Sequence, residues 1–461
     1  MSVLSVASVV KYHCTNNMTP RPKIIPPLQP EFQPAALAMR GEKSLRVEVA
    51  LERSADSVSR VTTDIPGGDF RLLERWIKFL LWSRGGHRIH FSGPKELCGQ
   101  LQRYYAESAT GKFDAEIMGQ RIYERPFEVR WCGAEELPAA REQSAPLGGH
   151  VKGCRIGFDL GASDRKVSAV IDGNAVFTEE VPWDPRSHSD PQWHFDQIND
   201  SLKRAARHLP RVDAIGGSAA GVYVNNQVKV ASLFRGVPED LFENRVKGLF
   251  QELKRAWNNI PFEVVNDGEV TALAGAMTLK ANGVLGISMG SSQAAGYVTP
   301  DGQITAWLNE LAFAPIDYHP HAPADEWSGD YGCGVQYFSQ QAVGRLISKA
   351  GLPIAKDLPL PEKLVEVQKA MAAGDGRAAK IYRTIGVCFG YAVAHYKSFY
   401  NFKHLLLLGR VTTGEGGAVI IEEAQRVLRE EFPGLEVQFH MPDEKEKRHG
   451  QAIAAASLPM I

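Results

Sequence analysis

The feature that most constrains this chain is a pair of acidic residues, each placed at the end of a strand-like apolar run. Asp159 lies at the end of the run 154–160, and Asp267 comes just after the run 262–265. Both then enter a turn of small residues, and open α/β sheets build their sites at the carboxyl ends of such strands. The sequence therefore predicts that Asp159 and Asp267 face one crevice and carry the chemistry of the protein.

The composition is that of an ordinary enzyme. Of the 461 residues, 44% are hydrophobic and 23% are charged, and the net charge is −1, which is too balanced for general binding of nucleic acid or of a membrane surface. No apolar stretch reaches the roughly 20 residues that a membrane-spanning helix needs. The six cysteines are scattered without close pairs, which favours reduced thiols. We therefore expect a cytoplasmic protein that binds neither nucleic acid nor a membrane.

Residues 1–150 predict an accessory α/β domain that begins with a proline-rich strap at 19–34. The polar, pattern-poor segment 135–150 marks its boundary. The predicted elements of this part are strands at 45–51 and 87–91, helices at 70–83 and 94–107, and a hairpin-like stretch at 113–132.

The remainder of the chain alternates twice between strand-rich and helical segments, which predicts two lobes of similar architecture. The first lobe, 151–280, opens with a hairpin at 155–170. The second lobe, 281–461, opens with an antiparallel pair, and its strand at 404–409 is apolar throughout, which is typical of a strand buried on both faces. We expect a final helix, starting near residue 444, to cross back to the first lobe.

Three small-residue turns follow strands, near Gly161, Gly290 and Gly409. Backbone N–H groups reach phosphate oxygens only where side chains are small enough to let a ligand approach. One such turn is weak evidence, because glycine turns after strands are mostly structural. Three turns in this order, with Asn266-Asp267 between the first two, indicate a site for a nucleoside triphosphate.

The order of these motifs resembles the ROK family (repressors, open reading frames and kinases), in the sugar-kinase branch of the actin/hexokinase/Hsp70 ATPase superfamily. Segment 159–163 (DLGAS) is similar to the family's first phosphate motif, Asp-x-Gly-x-Thr, and 290–292 (GSS) to its second, Gly-Thr-Gly. Segments 408–411 and 414–417 resemble its adenosine motif. The similarity covers 151–461 and implies a two-lobed, actin-like (ribonuclease H-like) α/β fold.

The resemblance also implies roles for the two acidic residues. Asp267 occupies the position of the family's catalytic base, and Asp159 would hold Mg²⁺ through water, since Mg²⁺ prefers carboxylates, phosphate oxygens and retained waters. The cofactors implied are ATP and Mg²⁺. The implied contacts with ATP and its phosphates are Gly161, Ala162, Ser163, Gly290, Ser291, Ser292, Gly409, Gly414 and Gly416.

Three further residues are implied to bind the sugar. Asn266 would orient the ring, and Glu310 would accept hydrogen bonds from its hydroxyls, because 308–311 (LNEL) is similar to the family's Gly-Glu-x-Gly-His segment. Asn226 lies in 216–238, which resembles the substrate-lobe loop.

The chain departs from the family pattern in two places. The cluster of cysteines that commonly binds zinc is reduced to Cys333, and Phe313 stands where the family has a histidine. We therefore expect no zinc. Ser292 and Gln293 replace small residues of the second phosphate turn, and they either crowd the γ-phosphate or supply hydroxyl and amide donors.

Each assignment has a plainer alternative. Asp-Gly is a common turn pair, so Asp267 is also explained as a helix cap or an Asx turn. Asp159 is also explained as a turn-capping carboxylate, and Glu310 as a surface glutamate after a strand. The strand ends and the neighbouring motifs favour the functional interpretation of both aspartates.

Together these features predict an ATP-dependent sugar kinase that transfers the γ-phosphate to a hydroxyl of a hexose or a hexose-like sugar, with Asp267 as general base. The alternative is a ROK-type regulator that senses a sugar without catalysis, or an assembly protein. Many ROK repressors carry a DNA-binding helix-turn-helix, but 1–150 is only slightly basic and mixes strands with helices. We expect residues 1–150 to serve in packing, in dimerisation or as a lid over the substrate. The sequence leaves open whether the protein is a monomer or a homodimer.

Overall fold

The computed structural model describes residues 21–41, 44–142, 144–145, 148–442 and 444–461, so the first residues of the proline-rich strap lie outside it. The chain folds into mixed α/β layers. The strands are β1 Ser44–Ser54, β2 Ser57–Pro66, β3 Arg88–Ser92, β4 Glu128–Trp131, β5 Ser144–Ala145, β6 Cys154–Leu160, β7 Asp164–Ile171, β8 Asn174–Pro182, β9 Ala214–Ala219, β10 Val222–Val224, β11 Gln227–Val230, β12 Phe262–Asn266, β13 Val284–Met289, β14 Gln293–Val298, β15 Ile304–Thr305, β16 His404–Leu408 and β17 Gln438–His440.

Helices pack against these strands. None of those in the described ranges combines the length and the apolar character that a membrane crossing requires. The α-helices are α1 Ala35–Ala38, α2 Phe70–Arg84, α3 Lys95–Glu107, α4 Ala109–Ala115, α5 Pro191–Ala206, α6 Glu239–Leu241, α7 Leu249–Ala256, α8 Asp267–Leu279, α9 Gln340–Ala350, α10 Leu360–Ala372, α11 Gly376–Tyr396, α12 Glu415–Glu431 and α13 Glu444–Ala456, with π-helical turns at Glu116–Tyr123 and Phe242–Val246.

The first functional sheet has the strand order β12-β9-β6-β7-β8. Strands β6, β9 and β12 are parallel, while β7 and β8 continue the sheet in antiparallel fashion. In this register Asp159 lies beside Ser218, and Ala219 lies beside Asn266. The carboxyl ends of β6, β9 and β12 therefore meet at one edge of the sheet.

The second functional sheet has the order β17-β16-β13-β14-β15-β5, and its β13 and β16 are parallel. The turns after these two strands lie side by side. Gly409 has φ +98°, and a Cβ atom there would lie 2.4 Å from the carbonyl oxygen of Met289. Glycine is required at this position, because a side chain would clash with the neighbouring strand.

Two helices join the sheets. Helix α8 begins where β12 ends, and a Cβ atom at Gly268 would lie 2.2 Å from the carbonyl oxygen of Ala295 in β14. Helix α13 returns from the end of the chain and packs against β6, β9 and α8. Helix α13 lies very close to β6 and β9, because Gly157 and Gly216 have no side chain that would clash with its backbone.

A Gly157→Ala substitution should therefore destabilise the protein by about 1–3 kcal/mol, the range for overpacking a well-filled interior. The added Cβ atom would lie 1.7 Å from the carbonyl oxygen of Ala452 in α13, so the helix must shift. Urea unfolding measures the effect. Gly376→Ala is the matched control, since its Cβ atom would meet nothing, and an equal loss of stability in both variants would contradict the explanation.

The N-terminal part forms a sheet of order β2-β1-β3-β4 with α2 packed beside it. Helix α2 is almost fully buried, and it is bonded to the second half of the chain through charges. Arg75 and Lys78 both form ion pairs with Asp330, and Lys78 also pairs with Asp114. All four side chains are nearly inaccessible to water. An independent accessory domain at 1–150, and the two lobe boundaries, stay predictions.

The hairpin-like stretch predicted at 113–132 is wrong over its first half. Residues Glu116–Tyr123 form a π-helical turn that continues α4, and a strand follows only at Glu128–Trp131. Asp114, Met118 and Ile122 are buried, and their four-residue spacing is that of a helix rather than of a strand. Strand β2 and helix α5 lie outside the predicted elements.

Candidate active site

Asp159 stands at the carboxyl end of β6 and is 5% exposed. Its Oδ1 accepts a hydrogen bond of 2.6 Å from the hydroxyl of Ser218 on β9, and its Oδ2 lies 3.7 Å from Nζ of Lys166 on β7. Burial raises the pKa of Asp159, and the positive charge of Lys166 opposes that shift. The carboxylate is thus held in a fixed orientation by two neighbouring strands.

Asp267 is the first residue of α8, and the preceding Asn266 caps that helix. The Oδ1 atom of Asn266 accepts a hydrogen bond of 2.7 Å from the N–H of Gly268, and Oδ1 of Asp267 accepts one of 3.0 Å from the same group. Burial and the negative charge of Asp159 raise the pKa of Asp267 to about 6. The two aspartates therefore interact electrostatically, and Asp267 remains mostly ionised at neutral pH.

Glu310 approaches the same place from the second half of the chain. Oε1 of Glu310 lies 3.4 Å from the amide nitrogen Nδ2 of Asn266. The same Nδ2 also donates a hydrogen bond of 2.7 Å to the carbonyl of Gly221. Burial, with the charges of Asp267 and Glu269, raises the pKa of Glu310 to about 8. The predicted residues Asp159, Asp267, Asn266 and Glu310 are thus brought together.

Asn226 is not brought to this crevice. Its Nδ2 donates to the carbonyl of Phe262 at 2.8 Å, and its Oδ1 accepts from the N–H of Val264 at 2.7 Å. Both partners lie within the first three residues of β12, whereas Asp267 follows the last residue of that strand. The buried side chain of Asn226 therefore holds the β10–β11 hairpin against β12, with Nδ2 and Oδ1 both bonded to backbone groups of that strand.

The first two of the predicted phosphate turns are open to solvent. Ala162 and Ser163 are exposed, and the turn is closed by a bond of 2.9 Å from the N–H of Gly161 to the carbonyl of Asp164. Ser291 and Ser292 are likewise exposed. The N–H of Gly290 donates to the carbonyl of Ser292 at 2.9 Å, so this donor is occupied within the turn.

The third turn divides into exposed and buried glycines. Gly414 is exposed and caps the start of α12 with φ +74°. Gly416 is buried, and a Cβ atom there would lie 2.3 Å from the ring of Tyr382 on α11. Gly416 thus allows α11 and α12 to pack closely, while Gly409 and Gly414 leave backbone groups near solvent.

A cavity of about 390 Å³ lies beside the third turn. Leu358, Leu364 and Val365 give it an apolar wall, and Arg410 and Thr413 line its side toward the turn. The carbonyl of Arg410 accepts a bond of 2.8 Å from the side chain of Gln368. The arrangement combines an apolar surface with polar groups at one edge.

Three residues of this region were not singled out by the sequence patterns. Ser218 orients Asp159, and it carries a signal that could have found it, because it lies at the carboxyl end of β9 beside β6. Glu269 and Asn309 are buried and bonded to each other. No local pattern marks that contact, since the two residues are far apart in sequence.

A magnesium ion fits the residues present. Asp159 offers a carboxylate whose charge is only partly compensated by Lys166, and hard oxygen donors with retained waters suit Mg²⁺. Within the described residues no group of three or more His, Cys, Asp or Glu side chains is arranged to hold a metal. Binding through one carboxylate, phosphate oxygens and water needs no such group.

The fold is shared with solved ROK structures. A ROK hexokinase from Thermus thermophilus matches with a TM-score of 0.53 at 17% identity, over 67% of this chain and 98% of that one. A ROK family glucokinase from Streptomyces griseus in complex with glucose and AMPPNP gives a TM-score of 0.50 at 18% identity, over 67% and 99%. A ROK family transcriptional regulator, homolog of the E. coli MLC protein, gives 0.53 at 17%, over 67% and 79%. No protein-family model and no curated protein sequence matches the chain.

At such low identities the likeness establishes the fold alone. The α/β fold predicted from the sequence is confirmed, and it is shared with the ROK hexokinase and the ROK glucokinase. The same fold is also that of a ROK regulator, so it does not by itself decide between catalysis and sensing.

Proposed function

We propose that this protein is an ATP-dependent sugar kinase that transfers the γ-phosphate to a hydroxyl of a hexose or a hexose-like sugar. The observation that carries the proposal is the meeting of two aspartates from one sheet with Glu310 from the loop that follows β15. Asp159 and Asp267 lie at the carboxyl ends of β6 and β12, and the charge of Asp159 acts on Asp267 while the charge of Asp267 acts on Glu310. Phosphoryl transfer depends on holding donor and acceptor in line and on neutralising charge, and such a crevice suits both.

Asp267 is the general base. At pH 7 its carboxylate is mostly ionised and accepts the proton of the sugar hydroxyl while that oxygen forms a bond to the γ-phosphorus and the bond to the leaving ADP oxygen breaks. Asn266 keeps the base in place, because its cap on the N–H of Gly268 fixes the first turn of α8.

Glu310 and Asn266 bind the acceptor. A carboxyl and an amide 3.4 Å apart offer both acceptors and donors to vicinal hydroxyl groups. Because the pKa of Glu310 is raised to about 8, its carboxyl is largely protonated at pH 7 before a sugar arrives, so it donates as well as accepts.

The nucleotide lies along the three turns. Gly161, Ala162, Ser163, Ser291 and Ser292 surround its phosphates, and their exposed backbone and hydroxyl groups support this placement. Asp159 would hold a magnesium ion, and the ion would supply positive charge to neutralise the transferring group. Gly409, Gly414 and the cavity beside Arg410 accommodate the nucleoside.

The pH dependence of turnover should follow Asp267. Since the base must be ionised, kcat/KM should rise with pH through about 6, the pKa raised by burial and by Asp159. It should then level off and decline again above about 8, where Glu310 loses the proton that it donates. Initial rates with saturating ATP and magnesium between about pH 5 and about pH 9 measure the profile. If kcat/KM instead falls as the pH rises from about 5 to about 7, an ionised carboxylate is excluded as the base.

A regulator that binds sugar without phosphorylating it is the second candidate function. It is favoured by the likeness to the ROK transcriptional regulator and by the hydrogen bond that occupies the N–H of Gly290 within the second phosphate turn. An assembly role, with no turnover at all, would need neither ligand.

One experiment separates these functions. ADP release is measured with ATP, magnesium and a panel of hexoses and polyols, and binding of the same sugars and of ATP is measured by calorimetry. Sugar-dependent ADP release supports the kinase. Sugar binding without ADP release supports the sensor, and the absence of both supports the assembly protein.

A further inference from the structure

Asn309 is fixed from three sides in the loop that carries Glu310. It is 2% exposed, its Nδ2 donates to the carboxyl of Glu269, and its Oδ1 accepts a bond of 2.9 Å from the hydroxyl of Tyr400. Its backbone N–H donates at 3.0 Å to the carbonyl of Ser83. Both ends of the side chain and the main chain are therefore bonded.

The backbone of Asn309 is also unusual. Its φ is +53°, a conformation that costs a side-chain-bearing residue energy and that asparagine tolerates better than most. The bonds to Glu269 and Tyr400 hold the residue in this conformation. The loop consequently turns so that Glu310 enters the crevice.

The partners of Asn309 connect this loop to the proposed base. Glu269 lies two residues after Asp267, on the same turn of α8. Glu310 is the next residue after Asn309, and its own N–H donates at 2.9 Å to the carbonyl of Trp82 at the end of α2. The bond from Asn309 to Glu269 thus joins the element with Asp267 to the element with Glu310.

We propose that Asn309 is a positioning residue for the acceptor: through Glu269 and Tyr400 it sets the place of Glu310 relative to Asp267. The inference rests on the proposed kinase function. Asn309 itself touches neither substrate. Its effect is on the geometry of the acceptor site, and the turns that hold the nucleotide lie on other strands.

Glu269 suits this role because burial raises its pKa to about 8. At pH 7 its carboxyl is mostly uncharged and receives the hydrogen bond of Asn309 without adding a full negative charge beside Asp267 and Glu310. Glutamine has nearly the same shape and an amide oxygen that accepts the same bond.

The test compares matched variants in steady-state kinetics. Asn309→Gly keeps the positive φ at no steric cost and removes the two side-chain bonds. We expect it, and Glu269→Leu, to raise the KM for the acceptor by about tenfold, which corresponds to the loss of a buried hydrogen bond to a fixed partner. The KM for ATP should change by less than about twofold. Glu269→Gln should restore the KM for the acceptor to near that of the wild type.

Tyr400→Phe removes one bond to Asn309 and should raise the acceptor KM in the same direction. Tyr391→Phe is its control, since the hydroxyl of Tyr391 bonds to the carbonyl of Ile24 and to Glu431, away from the loop. Thermal unfolding establishes that each variant is folded at the assay temperature. If Asn309→Gly does not fold, the pair of tyrosine variants decides.

The outcomes are distinct. An unchanged acceptor KM in Asn309→Gly, or equal effects on both substrates, overturns the positioning role. A wild-type protein that binds sugar but releases no ADP overturns the proposed function instead. In that case the same variants are compared by calorimetry with the sugar, and an unchanged dissociation constant in Asn309→Gly overturns the inference.

Discussion

An Asp267→Asn variant should lose about 10²- to 10⁴-fold in kcat, the usual contribution of a positioned general base. Asparagine keeps the shape of the side chain and its contact with the N–H of Gly268, so the helix cap and the fold should survive. What is lost is the ability to accept a proton from the attacking hydroxyl. The KM for the acceptor should change little, because Asn266 and Glu310 remain in place.

The measurement is kcat with a true acceptor, accompanied by thermal unfolding. Glu263→Gln is the control, because Glu263 lies on the same strand β12 and burial raises its pKa as well, but it stands near the opposite end from Asp267. That variant should keep its turnover. If Asp267→Asn retains the wild-type kcat, Asp267 is not the general base, and the proposed kinase mechanism is wrong.

The strand-end residues could be predicted because their signals are local. Apolar runs that end in Asp159 and just before Asp267 mark two strands of one sheet, and parallel strands bring their carboxyl ends to the same edge. The antiparallel pair on either side of the turn at Gly290 and the buried strand before Gly409 could be predicted in the same way. In each case the pattern and the turn residues lie within about ten positions of each other.

The hydrogen bonds that position Glu310 could not be predicted, because they join segments that are far apart in the chain. Its N–H is bonded to Trp82, and its neighbour Asn309 is bonded to Ser83, Glu269 and Tyr400. The contacts of Asn226 could not be predicted for a related reason. A polar residue in a loop resembles a ligand-binding residue, but here it is bonded to a distant strand.

The N-terminal part is bound into the candidate site by the same contacts. The carbonyl groups at the end of α2 accept hydrogen bonds from Asn309 and Glu310, and the guanidinium group of Arg84 stacks on the ring of Trp307 at 3.1 Å. Deleting 1–150 would remove these partners and expose the apolar core that α2 shares with α11. Such a deletion therefore does not separate a scaffold role from a catalytic one, and point substitutions are needed.

An Asp330→Ala variant should lose about 3–5 kcal/mol of unfolding free energy, the effect of breaking a buried ion pair by removing one partner. Asp330 forms two hydrogen bonds of 2.9 Å with Arg75 and an ion pair with Lys78. All three side chains are almost completely buried. Without Asp330, the carboxylates Glu74 and Asp114 remain as partners of the two cations, but the ion pairs that Arg75 and Lys78 form with the second half of the chain are gone.

The control and the pH dependence follow from the same electrostatics. Glu366→Ala removes an ion pair with the exposed Lys369 within α10, so it should cost less than about 1 kcal/mol in urea unfolding. The positive charges of Lys78 and Arg75 outweigh burial and lower the pKa of Asp330 to about 2. A carboxylate with a lowered pKa stabilises the fold above its unfolded pKa of about 4, and this contribution is lost as the pH falls toward 2. The difference in stability between the wild type and Asp330→Ala should therefore be constant from neutral pH down to about 4 and narrow below it. An equal cost for both variants at pH 7 would mean that Asp330 does not join α2 to the rest of the molecule.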